Sequence, residues 1–155
     1  MKKLDYTFPI EKRGILPPDE EHFFYYDIMR NTENNNQNIY NWNSDIQKFL
    51  DNKGVIVDTK ETLPDKAMKD ELYFIIEKKD KENKAAAFFN HLRNAFAHFR
   101  IVHVGEYLRI EDGRWDTKNK CLERTMIGQI KYEDLKELCF LFFQQEDKFI
   151  EENNI

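Results

Sequence analysis

At 155 residues the chain is sized for one domain, taken as residues 1–155, and its formal net charge of −5 is too acidic for a protein that coats nucleic acid through many phosphate contacts. Thirteen Phe and seven Tyr beside few Gly and Pro favour helices with large packing side chains over a sandwich or barrel, so the expected class is mainly α. Cys121 and Cys139 lack metal-ligand spacing and read as reduced thiols, buried or half-buried, in a reducing compartment. The N-terminus has a basic pair but no apolar signal segment, and the apolar run 138–143 is too short to span a bilayer, so a cytoplasmic protein with no membrane partner is expected.

In chain order, residues 1–16 show little helical periodicity, and Pro17, Pro18, Asp19, Glu20 and Glu21 then mark a helix start. That helix runs through Phe23, Phe24 and Ile28, with His22 assigned to its packing or surface. Asparagine-rich residues 31–38 read as a loop or frayed extension, and a second helix is expected over residues 39–50, ended by Gly54. Val55, Ile56 and Val57 suit a short extended piece, residues 65–78 read as a helix, and the charge run 78–84 reads as a solvated turn leading into the next helix.

The helix that follows is the informative one. On a wheel of 100° per residue, Phe88, Phe89, Leu92, Ala95, Phe96 and Phe99 form a core stripe. The opposite sector holds Asn90, His91, Asn94 and His98, with Arg93 at its margin and Ala86, Ala87 and Ala97 where Lys or Glu would be usual. Small residues there permit close approach of another helix. A histidine near a helix C-terminus can also be a simple cap, and an arginine there can be tied to a carboxylate. After His98 the period changes to two over residues 100–104, 107–110 and 122–130, with turns at Gly105 and at Asp112 and Gly113; a final helix is expected over residues 132–151.

The segment Arg93-Asn94-Ala95-Phe96-Ala97-His98 resembles the RX4-6H motif of HEPN domains, which are small all-helical dimers, many of them metal-independent ribonucleases of toxin-antitoxin and phage-defence systems. The resemblance implies a bundle of four to five helices with a small β-hairpin or three-stranded flap between the motif helix and the last helix. It implies no cofactor, an RNA substrate, a homodimer with a composite site, and an antitoxin or other regulatory protein as a further partner. In HEPN toxins paired with nucleotidyltransferase antitoxins, a tyrosine two positions after the motif histidine is the modified residue; here that position is Arg100.

RNA cleavage without a metal requires a base for the 2′-hydroxyl proton, a cation for charge developing on the phosphate and an acid for the leaving 5′-oxygen. His98 suits the proton transfers, Arg93 the charge stabilisation, and Asn94 holds the imidazole or a phosphate oxygen. Arg93 and His98 are about 140° apart on the wheel, so the arginine must reach round or a second subunit must complete the site. His91, Arg100 and His103 are candidate substrate contacts. The four arginines 93, 100, 109 and 114 outnumber nearby acids and outline a local basic groove. Ser44, the one serine, lacks a nucleophile elbow, no phosphate-binding glycine loop occurs, and His91, His98 and His103 match no zinc spacing. The leading expectation is a HEPN endoribonuclease acting as toxin or defence effector. The alternatives are a catalytically silent HEPN-like dimer that binds RNA, nucleotide or protein, and a scaffold whose Arg93 and His98 are structural.

Overall fold

The computed structural model describes residues 14–34, 36–63, 71–78 and 83–153. Proline at the first turn starts helix α1 (Pro18–His22), which continues without a break through a π-helical stretch, Phe23–Met29, into α2 (Arg30–Glu33). A single 3-10 turn, Asn36–Ile39, follows. Helix α3 (Ser44–Lys53) begins later than the apolar spacing suggests because Asn43 is its cap, accepting the Ile46 N–H at 3.1 Å. Gly54, at φ 71°, ends it as expected.

Strand β1 (Val55–Lys60) lies parallel to β2 (Leu72–Glu77). The helix expected over 65–78 is therefore a strand in its described part. Tyr73, Phe74, Ile75 and Ile76 are all buried, so the strand is covered on both faces, and a continuous apolar run of that kind does not reveal its period. The charge run 78–84 and the first residues of the chain lie largely outside the described residues. Helix α4 (Lys84–Ala97) carries the motif, followed by β3 (Ile101–Val104), β4 (Tyr107–Asp116), β5 (Cys121–Ile130) and α5 (Tyr132–Asn153).

The strands form one five-stranded sheet in the order β1-β2-β5-β4-β3, with β1 and β2 parallel and the other pairs antiparallel. This corrects the class from a mainly α bundle to α/β. The expected three-stranded flap is the antiparallel part of a larger mixed sheet, which β2 and β1 extend from before the motif helix.

One sheet face, with Phe74, Ile76, Leu108, Ile110, Met126 and Ile130, shares a core with Phe88, Leu92 and Ala95 of α4, Leu138 and Phe142 of α5, and Phe24 and Ile28. Phe88 sits at its centre, its ring within 6.5 Å of those of Trp42, Phe74, Phe89 and Phe142. The reverse face holds a smaller cluster around Tyr73, Ile75 and Ile127. α4 is thus pinned across the sheet, and its C-terminal end lies over β4. Among the described residues no helix is long and apolar enough to cross a membrane.

Candidate functional site

Asn83 caps the start of α4, accepting from Ala85 N at 2.9 Å and Ala86 N at 3.4 Å. The helix ends in a Schellman turn: Phe99 N donates to Phe96 O and Arg100 N to Ala95 O, at 3.0 and 2.8 Å. This turn needs a left-handed residue, and the position is filled by Phe99 at φ 57°, an unfavourable conformation for a bulky side chain. Phe99 is therefore not a core residue. It is 48% exposed, while Phe96 is half-buried and stacks on Phe24 at 5.5 Å.

The turn sets His98 on the outside of the helix end. Its backbone N–H bonds Asn94 O at 3.0 Å, and among the described residues no side-chain hydrogen bond engages its imidazole. Arg93 is half-buried and its Nη1 donates to Asn94 Oδ1 at 3.2 Å. Asn94 lies between Arg93 and His98 on the helix wheel, so this bond turns the guanidinium toward the histidine side. Asn94 Nδ2 in turn donates to Asp112 Oδ2 at 3.4 Å.

Asp112, on β4, is the residue that sequence reasoning missed. It is buried, and the same oxygen accepts from His91 Nδ1 at 2.7 Å. An ionised carboxylate can only accept, which assigns the Nδ1 proton to His91. Thr125 Oγ1 stands 3.4 Å from that nitrogen. Asp112 pairs with Met126 and Gly113 with Arg124, so Thr125 is the extra residue of a β-bulge, and the bulge turns both Thr125 and Met126 toward α4. Asp112 and Gly113, expected as a turn, lie within β4 at a β-bulge, and extending the alternation from Leu108 and Ile110 would have put Asp112 at an inward position where a carboxylate must have a partner.

The six candidate residues therefore divide. Arg93 and Asn94 share a hydrogen bond in the last turns of α4, His98 stands exposed at its end, and His91 lies buried on Asp112. Arg100 and His103 are drawn elsewhere: Arg100 ion-pairs with the buried Glu111, which Arg124 also approaches at 3.6 Å, and His103 Nε2 lies 2.6 Å from Glu20 Oε1 on α1. The expected basic groove does not form. Arg109 is buried with its Nε on Gln129 Oε1 at 2.6 Å, and Arg114 binds Glu77 and Glu123. Nor do the alanines leave an open face, since Ala86 and Ala87 are buried within the chain and only Ala97 is exposed. Cys121 is exposed and Cys139 buried, with burial pushing the Cys139 thiol well above its ordinary value.

An Arg93–Asn94 pair with an exposed His98 at the end of a helix braced on a sheet keeps the RX4-6H spacing of a HEPN motif helix. The family HEPN pEK499 p136 matches residues 19–155, and the chain belongs to that HEPN family. No curated protein and no solved structure matches the chain.

Proposed function

We propose that this protein is a metal-independent HEPN endoribonuclease, a toxin or defence effector, with Arg93, Asn94 and His98 as its catalytic group. Membership of the HEPN family supports a nuclease or toxin at family level. The observation that carries the residue assignment is the asymmetry of the helix end. His98 is exposed and unengaged among the described residues, whereas Asn94 beside it is tied to a buried carboxylate. His98 fills the C-cap position of α4 through its backbone, which leaves the imidazole outside the capping hydrogen bonds. A group that must exchange protons with a substrate needs its ring nitrogens open and its helix fixed.

In this reading His98 takes the 2′-hydroxyl proton as that oxygen attacks phosphorus. The phosphorus–5′-oxygen bond then breaks, giving a 2′,3′-cyclic phosphate and a 5′-hydroxyl. Arg93 stabilises the added charge on the non-bridging oxygens. One imidazole serves one proton transfer at a time, so protonation of the 5′-oxygen falls to a second His98 from a partner copy across a two-fold axis. Because Ala86 and Ala87 are buried, they take no part in such a contact, and of the three alanines Ala97 alone is exposed to meet a partner copy.

The test is cleavage of single-stranded RNA by purified Arg93→Ala and His98→Ala chains. Both should lose activity with unchanged circular dichroism and melting temperature, since neither residue is in the core. Active variants would refute the assignment. A wild-type chain that binds RNA without cleaving it would favour the silent binding reading.

A further inference from the structure

Four arginines were expected to line a groove, yet Arg100, Arg109 and Arg114 are held by acidic or amide side chains. A nuclease still needs a surface that follows its substrate. One element leaves the sheet directly from the site. β5 pairs with β2 only through Met126–Gln129, and β4 with β3 only through Tyr107–Ile110. Beyond Asp112 the backbone ladder joins β4 to β5 alone, with Arg114 tying its base to Glu77 of β2, so residues 115–122 extend past the sheet as a two-stranded ribbon.

The ribbon carries an aromatic side chain that folding does not account for. Trp115 is 62% exposed; its cross-strand neighbour Leu122 lies on one side, and most of the ring remains in water. Beside it at the tip are Lys118 and Lys120, both exposed, with side chains that make no hydrogen bond or ion pair among the described residues. Arg114 is held by Glu77 and Glu123 and Arg124 approaches Glu111, so the cations the ribbon presents at its tip are Lys118 and Lys120. The tip is also shaped: Asp116 Oδ1 accepts the backbone N–H groups of Lys118 and Asn119 at 3.0 and 3.2 Å. Trp115 is three residues from Asp112, about 10 Å along the strand, and by strand alternation it leaves the face opposite Asp112, so a strand of RNA held there must cross the ribbon edge to reach the end of α4.

We propose that this ribbon is a single-stranded RNA-binding finger, on which a base stacks against Trp115 while Lys118 and Lys120 hold the neighbouring phosphates. An exposed aromatic ring flanked by cations gives a base a sequence-tolerant platform, the combination used to bind single strands. The proposal rests on the RNA-cleaving reading of the α4 site and adds the element that holds the substrate.

The test uses the full chain and an uncleavable 2′-O-methyl oligouridylate. Trp115 and Trp42 are the two tryptophans, so a Trp42→Phe chain reports from Trp115 alone, and its fluorescence should be quenched on binding. Trp115→Ala should weaken binding about tenfold or more, with Trp115→Phe recovering part of it. In cleavage, the loss should appear in KM with kcat nearly unchanged. Lys118→Ala with Lys120→Ala should lower the slope of log affinity against log salt by about 1.4. Unchanged affinity in Trp115→Ala overturns the finger. A Trp115→Ala chain that becomes a smaller species in light scattering while binding RNA normally would overturn it in favour of a self-association surface. Loss of cleavage on changing Arg93 or His98 with no effect at Trp115 would defeat the finger alone, whereas Trp115-dependent binding without cleavage would defeat the nuclease reading alone.

Discussion

Replacing Asp112 by Ala should loosen the end of the motif helix. The carboxylate accepts from His91 Nδ1 at 2.7 Å and from Asn94 Nδ2 at 3.4 Å, and its other oxygen accepts the Gly113 N–H at 2.9 Å. Without it, the buried His91 donor is left with the 3.4 Å contact to Thr125, and the Asn94 amide with Arg93 alone. A buried donor that loses its partner costs about 1–3 kcal/mol and a partly exposed one less, so Asp112→Ala should destabilise by about 2–4 kcal/mol. For a chain of this size that lowers Tm by about 5–15 °C. Asp112→Asn keeps the shape and one acceptor oxygen and should cost about half as much. The assay is thermal unfolding by circular dichroism, paired with RNA cleavage well below both transitions. There, activity should fall further than the unfolded fraction accounts for, because Asn94 is no longer fixed beside His98. An Asp112→Ala chain within about 0.5 kcal/mol of wild type, or one that is destabilised but fully active when folded, would refute the bracing role.

At position 99 the backbone itself can be weighed: Phe99→Gly should be more stable than Phe99→Ala by about 1 kcal/mol in denaturant unfolding, because both lose the ring and only glycine is at ease at φ 57°. A disulfide reagent should modify Cys121 rapidly in the native chain and Cys139 only after unfolding, since burial keeps that thiol protonated; fast reaction of both would contradict the placement of Cys139 in the core. Burial raises the Asp27 carboxyl above its ordinary value against the opposing pull of His22 and Lys136. Its contribution to stability is therefore present at low pH and lost as pH rises through the raised value, so Asp27→Asn should be more stable than wild type at neutral pH and lose that advantage on acidification.

The parts of the fold legible in the sequence are those set by local signals. Pro17 and Pro18 mark the first helix, Gly54 the end of α3, and the phenylalanine stripe the core side of α4. The change to period two after His98 marks the antiparallel strands. The class was misread at β2, where burial on both faces removes the alternation that distinguishes a strand from a buried helix. The helix wheel put Asn94 and His98 in one sector with Arg93 at its margin, and treated that sector as open. Asp112 of β4, eighteen positions further along the chain than Asn94, closes it over His91, and Ala86 and Ala87 are buried as well. Likewise, counting arginines after His98 overlooked their partners. Glu111, Gln129 and Glu77 come from strands whose register no local pattern states.

Mass spectrometry of RNA fragments made in EDTA distinguishes attack by the RNA's own 2′-hydroxyl from hydrolysis by a metal-activated water. Cleavage by Arg93 and His98 should leave 2′,3′-cyclic phosphate and 5′-hydroxyl ends, spare a substrate that is 2′-deoxy at the scissile position, and give no fragments with the His98→Ala chain. Fragments with 5′-phosphate ends, or cleavage that stops on chelation, would contradict it.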